Sequence, residues 1–419
     1  METLEEKYSE SEEEEEDGGE RENETELTTT GDHTRRRSGT PSSSPSAANG
    51  GLVVLITGGN GRLGREIARL VYEHWPGVQE IRLLDLVPPQ QAVISGITGY
   101  GESGGKPRVS YCPYDVTRVE DLRVCFAKVH VVIHCAALVD DGSLCTRRKM
   151  TRVNVEGTRN VIDACLDCGV RALVFTGTMA QVYTSSIKSP VRFDEVFEIP
   201  RNAELLFPHY GGSKGAAEVL VLEANERRGK DRVVLHTCSL RLPPLYGECD
   251  ANLILSGLRM AKYSCGLSVH VGTRRKTMQS LYSGNAAWAH VLAARRLLDE
   301  NTREAVGGNF YYIGDDSPAW PLGEYHRQFL KPFGYKRVPY LRIPIWLLLL
   351  LAYLLEFLAI LLSLVKIDFA NSLTRASVRW LDYSHSYSWE KARRELLYEP
   401  LFDRSAALAR SVEYYRQHI

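Results

Sequence analysis

The sequence predicts an α/β fold in which a doubly wound parallel sheet is covered by helices on both faces. Two observations carry this prediction. From Leu52 onward, short apolar runs alternate with segments of helical periodicity, and the runs are nearly continuous, as in strands buried on both faces. The first run ends in a glycine-rich turn, "TGGNGRLG", which opens a helix. In such sheets the binding sites lie at the carboxyl edge of the strands.

The predicted elements follow one another along the first half of the chain. Strands are expected at "LVVLITGG", "EIRLLDL", "RVSYCPYDV", "VHVVIHCAAL" and "RALVFTG". Helices are expected over residues 62–74 and 118–128 and at "VNVEGTRNVIDACLDCG". The chain beyond about residue 180 is less regular, so we expect a small substrate lobe there, within a domain spanning residues 51–335.

Composition and charge limit the class of protein. The chain has 419 residues and a formal net charge of −1 at pH 7, which argues against a nucleic-acid partner. Residues 1–50 contain "SEEEEED" and a Ser-rich stretch with almost no apolar residue. Such a segment cannot bury enough surface to offset the entropy of ordering, so we predict an acidic, Ser-rich disordered tail. It has no apolar run typical of a signal peptide.

The chain contains nine cysteines, and the close pair Cys165-x-x-Cys168 has no second pair or histidine cluster that would complete a zinc site. We therefore expect reduced cytosolic thiols and no metal.

The glycine-rich turn predicts a dinucleotide site of the Rossmann type. Glycines 58, 61 and 64 are spaced G-x-x-G-x-x-G after a strand, which lets backbone N–H groups approach a pyrophosphate at a helix N-terminus. Asp85 lies at the end of the next strand, about 21 residues after Gly64. A carboxylate at this position accepts a hydrogen bond from a ribose 2′-OH and repels a 2′-phosphate. NAD is therefore favoured over NADP. The candidate cofactor-binding residues here are Gly58, Asn60, Gly61, Leu63, Gly64 and Asp85.

Two later strand ends extend this site by analogy with the fold. Asp115 follows the third strand, and Ala136 lies in "HCAA" after the fourth. These are the positions at which adenine and the nicotinamide ribose are expected, and a small residue such as Ala136 allows a ligand to approach the backbone.

A second motif predicts hydride-transfer chemistry. Tyr210 and Lys214 are four residues apart at a predicted helix start, so both side chains share one face and the Lys214 ammonium can stabilise a Tyr210 phenolate. Thr178, at the end of a strand, would hold the substrate hydroxyl, or else cap the backbone there. Asn154 could fix Lys214 through water or be structural.

Several stretches together are specific beyond the general dinucleotide fold. They are "TGGNGRLG", "VVIHCAALVD", "VNVEGTRNVIDAC", "HYGGSKGAAEVLVLEAN", "LYGE", "GNAAWAHVLAAR", "FYYIGDDSP" and "SWEKARRELLYEPLF". Over about Val53 to Phe402 the chain resembles an extended short-chain dehydrogenase, and more narrowly the 3β-hydroxysteroid dehydrogenase/Δ5–Δ4 isomerase family.

This resemblance implies a membrane-associated enzyme that oxidises a steroid 3β-hydroxyl with NAD⁺ and then moves the neighbouring double bond into conjugation. It implies that Tyr210 is the base, Lys214 its electrostatic partner and Thr178 the hydroxyl-binding residue, where relatives usually have serine. It also implies an endoplasmic reticulum membrane, or a mitochondrial one, with the catalytic domain facing the cytosol. Homodimerisation is left open.

The resemblance attributes the isomerase step to "FYYIGDDSP". Asp315 or Asp316 would be the base, and Tyr311 or Tyr312 the acid. Neighbouring strand residues face opposite sides, so one tyrosine at most can point into the pocket. From the nine residues alone, a strand followed by a turn is the favoured interpretation.

Three positions depart from the family pattern. Arg62 replaces the usual aromatic residue of the glycine loop, and Gly177 replaces a serine. "LRLPPLYGE" lacks the proline that ordinarily follows the arginine. The first two changes put cofactor preference and rate in question.

A strongly apolar run, Ile343–Val365, is bracketed by Arg342 and Lys366 and is about as long as a ~30 Å hydrocarbon core is thick. A true span would place "SWEKARRELLYEPLF" on the far side of the membrane, and Glu356 would be unfavourable at the bilayer centre. We therefore expect residues 342–366 to form a membrane-embedded or interfacial helix with both flanks on one face, and residues 367–419 to pack back on the catalytic domain. A buried soluble helix is the third alternative.

Other functions remain open at this point. A sterol-4-carboxylate 3-dehydrogenase would perform the same oxidation but release CO₂ instead of isomerising. Sugar-nucleotide epimerases share the glycine loop and the Tyr/Lys pair, although a membrane helix would serve a water-soluble substrate poorly. A catalytically silent NAD-binding scaffold is the non-enzymatic alternative.

Overall fold

The computed structural model describes residues 51–89, 97, 105–139, 147–184, 191–193, 205–250, 254–271, 276–364 and 373–419. The predicted tail (residues 1–50) and Lys366 lie outside the described residues.

The first half of the chain alternates strands and helices, as the periodicity predicts. Its elements are β1 (Leu52–Thr57), α1 (Arg62–His74), β2 (Val78–Leu84), β3 (Arg108–Cys112), α2 (Val119–Phe126), β4 (Val131–His134), α3 (Arg147–Met150), a π-helical segment (Thr151–Glu156), α4 (Gly157–Cys168), β5 (Ala172–Thr178), a 3₁₀ turn (Met179–Gln181) and β6 (Val191–Phe193).

The second half has shorter strands and more connections. Its elements are α5 (Tyr210–Glu223), β7 (Arg227–Arg228), β8 (Val234–Leu242), β9 (Leu245–Tyr246), α6 (Leu255–Tyr263), β10 (Leu267–Val271), β11 (Thr277–Met278), β12 (Leu281–Tyr282), α7 (Ser283–Leu298), α8 (Arg303–Val306), β13 (Asn309–Tyr312), β14 (Trp320–Pro321), α9 (Leu322–Leu330), β15 (Lys336–Ile343), α10 (Ile345–Leu364), α11 (Arg375–Leu381), β16 (His385–Tyr387), α12 (Glu390–Glu395) and α13 (Arg404–His418).

The main sheet has the strand order β13-β8-β5-β4-β1-β2-β3, and every neighbouring pair in it is parallel. Among the described residues, β7 adds a short antiparallel strand beside β8. The chain reverses its direction of travel across the sheet between β1 and β4, and such a switch point opens a crevice at the carboxyl edge. The predicted doubly wound parallel sheet is confirmed.

Two apolar layers enclose this sheet. One face packs against α1, α7 and α12, with Ile67, Val71 and Val291 fully buried. The other packs against α2, α4 and α5, with Phe126 and Val161 fully buried. Because the central strands β1, β4 and β5 are buried on both sides, their sequences are nearly continuous apolar runs, which made them recognisable.

Some predicted boundaries shift. The third strand ends at Cys112 because Pro113 follows it and cannot donate to the ladder. The predicted helix at residues 153–169 begins as a π-helical segment before it becomes α4.

The expectation of reduced thiols is wrong for one pair. Cys112, at the end of β3, and Cys125, in α2, form a disulfide with their Cα atoms 6.3 Å apart. The two elements lie side by side, which brings residues 13 apart in sequence within bonding distance. Cys165 and Cys168 are free thiols.

A second sheet joins the C-terminal part of the chain to the middle. Its order is β14-β11-β16-β6, so β16, which follows α10, pairs with strands that precede α10. An aromatic cluster that includes Tyr246, Tyr325, Phe329 and Tyr415 forms the core of the lobe beside it.

Candidate active site

The glycine turn between β1 and α1 leaves no room for side chains. Gly58 has φ +64°, and a Cβ on it would lie 2.9 Å from the backbone of Ala136. A Cβ on Gly64 would collide with the carbonyl oxygen of Gly58, and one on Gly61 would lie 3.0 Å from the same atom. The ends of β1 and β4 therefore meet across a backbone-lined crevice, where a pyrophosphate can approach N–H groups.

Asp85 ties this turn to the end of β2. Its carboxylate accepts hydrogen bonds from the backbone N–H groups of Asn60 (3.0 Å) and Val87 (3.3 Å). Among the described residues, the buried Oδ1 of Asn60 has no hydrogen-bond partner. Glycines that exclude side chains, a carboxylate at the next strand end and an unsatisfied amide oxygen together fit a dinucleotide.

The other predicted cofactor residues divide into two groups. Ala136 contacts Gly58, and its N–H donates to the hydroxyl of Thr57 at 3.2 Å, so it lies in the crevice. Leu63 is half-buried and packs on the core below the turn. Asp115 caps the turn before α2 by accepting from Thr117 N–H at 2.8 Å, and no contact of its side chain with the glycine turn is seen among the described residues.

Tyr210 and Lys214 occupy the first turns of α5, as predicted. The Tyr210 phenol lies beside the side chain of Thr178, whose Oγ1 accepts from Ala180 N–H at 3.2 Å. The backbone cap predicted for Thr178 is therefore present, and its side chain lies next to the Tyr210 phenol.

The pKa shifts of Tyr210 and Lys214 differ from the expectation that Lys214 lowers the pKa of the Tyr210 phenol. Burial raises the pKa of the Tyr210 phenol, while the neighbouring Thr178 side chain opposes that rise. Burial lowers the pKa of Lys214 to about 8, against the opposing effects of Cys135 and Glu218. The Lys214 ammonium lies 4.0 Å above the centre of the Phe175 ring. The chain alone thus holds Tyr210 protonated, and a lowered phenol pKa is not seen.

Asn154 lies in the π-helical segment and is buried. Its Oδ1 accepts from Leu138 N–H (2.7 Å), and its amide donates to the Leu138 carbonyl (3.0 Å) and to Ser213 Oγ (2.9 Å). Because Ser213 precedes Lys214, Asn154 joins the loop after β4 to the start of α5. π-Helical turns often mark functional sites.

An ion pair beneath the site was not predicted from sequence. Glu218 and Arg241 are both buried, with 2.7 Å between Oε2 and Nη2. Glu218 also accepts from Gln181 (2.6 Å) and Ser239 (2.5 Å). The available signals were a carboxylate four residues after Lys214 on the same helical face and an arginine inside an apolar strand.

This ion pair also explains the departure at Gly177. A Cβ there would lie 2.8 Å from Ser239 Oγ and 3.2 Å from Glu218 Oε1. The Ser239 hydroxyl already fills the space that a serine side chain at position 177 would need.

The structure separates the two tyrosines of "FYYIGDDSP". Tyr311 faces α12, where its hydroxyl donates to Glu395 at 2.8 Å. Tyr312 faces the opposite side, in a cluster with Met179 and Tyr183, and its hydroxyl accepts from Arg241 at 3.1 Å. Tyr312 is therefore the tyrosine on the side of the segment that follows Thr178.

The two aspartates also differ. Asp315 is buried and accepts hydrogen bonds from the backbone N–H groups of Tyr282 and Ser317, both at 3.0 Å, and from Asn285 at 3.3 Å. Burial raises the pKa of its carboxyl group, although these hydrogen bonds lower it. Asp316 is exposed. Asp315 therefore joins the turn after β13 to the start of α7, whatever further role it has.

Comparison with known proteins points to one family. A model described as the 3-beta hydroxysteroid dehydrogenase/isomerase family matches residues 55–345. The curated protein "3 beta-hydroxysteroid dehydrogenase type 7" of Homo sapiens is 35% identical over 373 residues, covering 86% of this chain and 95% of the relative. Its Mus musculus counterpart is 32% identical over 369 residues, covering 87% and 95%.

Solved structures with the same fold are more distant in sequence. DesIV, a dTDP-glucose 4,6-dehydratase from Streptomyces venezuelae with NAD and TYD bound, superposes with a TM-score of 0.61 at 18% identity, covering 87% of this chain and 97% of that one. MoeE5 in complex with UDP-glucose and NAD gives 0.60 at 17% identity, covering 87% and 99%. At these identities the likeness shows the fold alone.

Proposed function

The chain belongs to the 3-beta hydroxysteroid dehydrogenase/isomerase family, and from that membership we propose that it oxidises the 3β-hydroxyl of a Δ5-steroid and then shifts the double bond into conjugation. It is an NAD-dependent dehydrogenase of the short-chain type. The observation that carries the oxidation is that Tyr210 and Thr178 lie side by side at the carboxyl edge of β5, with Lys214 one helical turn further along α5.

The residues that would hold the cofactor are those of the glycine turn, Asp85 and Ala136. NAD⁺ bound there supplies the acceptor for the substrate's C3 hydride. Thr178 orients the substrate hydroxyl, and Tyr210, once it has lost its own proton, accepts the hydroxyl proton as a phenolate. The Lys214 ammonium, which lies close to the Phe175 ring, stabilises the phenolate electrostatically. Asn154 acts through Ser213 by holding the start of α5 in register with the loop after β4.

For the isomerisation we propose Asp315 as the base and Tyr312 as the acid. A 3-ketone acidifies the C4 proton, so a carboxylate and a neutral phenol suffice to move it. Asp315 is buried and its carboxyl pKa is raised, which favours proton uptake, whereas Asp316 is exposed. Arg241 donates a hydrogen bond to the Tyr312 hydroxyl oxygen. Because a guanidinium group cannot accept a hydrogen bond, the Tyr312 hydroxyl proton must point away from Arg241.

We further propose that α10 embeds in a membrane as one arm of a hairpin. α10 is long and apolar enough to cross a bilayer, and most of its apolar side chains are exposed, including Trp346 (67%), Tyr353 (57%) and Phe357 (55%). A soluble protein rarely exposes such a surface, and an apolar substrate would partition into the same membrane.

The contacts of α10 support a return to the same face. The carboxylate of Glu356 pairs with Arg375 at the start of α11, and Val378 packs on Leu348 and Ala352. The chain after α10 therefore runs back along it toward its beginning. β16 then pairs with β6 and β11, so both flanks join the catalytic part of the chain. We propose the cytosolic face of the endoplasmic reticulum as this side.

An assay that follows NADH and the conjugated enone separately tests the catalytic proposal. Purified protein is incubated with NAD⁺ and a panel of 3β-hydroxy-Δ5-steroids and 3β-hydroxysterol-4-carboxylates. We expect NADH and enone from the former. NADH with CO₂ from the latter alone would instead support the decarboxylating alternative, and no NADH from either would favour the silent scaffold.

Protease accessibility tests the topology. In sealed vesicles we expect the protein to resist salt extraction and its C-terminus to be cleaved from outside. A protected C-terminus would contradict the hairpin.

A further inference from the structure

A cavity lies at the edge of the main sheet opposite to the glycine turn. It measures about 590 Å³, and its lining includes Arg171, just before β5, and His236, near the start of β8. These two residues are adjacent, since His236 N–H donates to the Arg171 carbonyl at 2.9 Å. Thr178 lies at the other end of β5, about 20 Å away at ~3.3 Å per strand residue. The cavity is therefore separate from the proposed active site.

Three guanidinium groups line this cavity: those of Arg171, Arg228 and Arg303. Within the described part of the chain, neither Arg171 nor Arg228 has a carboxylate at ion-pair distance, and Arg303 has only Glu300 at 3.7 Å. Glu226 and Glu304, the carboxylates that share the lining, belong to exposed residues, as does Arg228. Burial lowers the pKa of Arg171, and Arg303 lowers it further, so two like charges face each other.

His236 adds an unsatisfied polar atom to the same cavity. Its side chain belongs to a residue only 8% exposed, and the buried Nδ1 has no hydrogen-bond partner among the described residues. Leaving a buried polar atom unpaired costs about 1–3 kcal/mol, which a ligand could recover. Burial and Arg303 lower the pKa of His236, opposed by Glu226 and Glu304. A neutral imidazole can still donate one N–H.

We propose that this cavity binds a small phosphate or sulfate ester. The tetrahedral oxyanion lies among the guanidinium groups of Arg171, Arg228 and Arg303, which suit bidentate contact with such oxygens. His236 donates from Nδ1, and the apolar part of the ester packs on Val234 and Leu297. The volume is within the usual range for small-molecule sites.

Isothermal titration calorimetry tests this proposal on the full-length protein with NAD⁺ at saturation, so that the dinucleotide site is filled. The probes are phenyl phosphate, phenyl sulfate and inorganic phosphate. We expect phenyl phosphate or phenyl sulfate to bind more tightly than inorganic phosphate, and the stronger of the two identifies the ester. Arg171→Gln and Arg303→Gln should each weaken that binding roughly tenfold or more.

Arg416→Gln is the matched control, because it removes the same charge from exposed α13, away from the cavity. It should leave binding unchanged, and thermal melting should show that each variant is folded. Two cavity variants are used so that one unstable protein does not decide the result. No binding of any probe to the wild type, or an equal loss in Arg416→Gln, would overturn the proposal.

Discussion

The side chain of Tyr210, at the start of α5, lies beside that of Thr178, at the end of β5. If this contact forms the hydroxyl-binding site, Tyr210→Phe should lower kcat/KM for NADH formation by about 10²–10⁴-fold, since that is the usual contribution of a positioned acid or base. Thr178→Ser keeps a hydroxyl and should retain most activity, whereas Thr178→Val should not. Equal activity of the serine and valine variants would assign Thr178 to backbone capping alone.

Lys214→Met should remove activity yet stabilise the fold near neutral pH. Burial lowers the folded-state pKa of Lys214 from 10.5 to about 8, so the charged form is disfavoured in the folded protein. Its penalty is fully present below pH 8 and is relieved as the pH rises toward 10.5, because the unfolded chain then binds more protons. The gain in Tm should therefore be larger at pH 7 than at about pH 9.5. A variant less stable than wild type at pH 7 would contradict this account.

Gly58→Ala should abolish NAD⁺ binding. A Cβ there meets the Ala136 backbone at 2.9 Å, in the crevice where the pyrophosphate approaches. Gly77→Ala is the matched control, because Gly77 also has positive φ (+86°) but would place its Cβ with nothing within 4 Å. Both should lose about 1 kcal/mol of stability from backbone strain. Equal NAD⁺ affinity of the two variants, measured by calorimetry, would remove Gly58 from the cofactor site.

Gly177→Ser alone should be destabilising and less active, since Ser239 Oγ occupies the space of the new side chain. The double variant Gly177→Ser/Ser239→Ala should recover both properties, because the hydroxyl at 177 replaces the one removed. Urea unfolding of the four proteins gives the coupling free energy. Strictly additive effects would show that the two positions do not compete for the same space.

Asp315→Asn and Asp316→Asn distinguish catalysis from turn formation. Asp315→Asn should reduce enone formation strongly while leaving NADH formation largely intact, and Asp316→Asn should change neither. Tyr312→Phe and Tyr311→Phe form the parallel pair, with Tyr312 the sensitive position. If both activities fell together in Asp315→Asn, its contacts with Tyr282 and Asn285 would be its whole role.

The elements whose sequences show a clear hydrophobic period or a motif with defined residue spacing were predictable. Helix α1 begins and ends as the periodicity indicates, and Tyr210 opens a helix. The sequence did not predict which of Tyr311 and Tyr312 faces the site. Strand alternation predicts only that neighbouring side chains point to opposite faces of the sheet. The Glu218–Arg241 pair and the Cys112–Cys125 disulfide depend on which elements lie side by side, and no local pattern encodes that.

The central claim is that Tyr210 and Thr178 bind and deprotonate a steroid 3β-hydroxyl, whose hydride passes to NAD⁺. The most direct measurement compares NADH formation by wild-type protein and Tyr210→Phe with matched 3β-hydroxysteroids and their 3α-hydroxy epimers. We expect the wild-type protein to form NADH from the 3β epimers and not from the 3α epimers, and we expect Tyr210→Phe to form none. NADH formation by Tyr210→Phe at the wild-type rate, or none from any 3β-hydroxysteroid with the wild type, would contradict it.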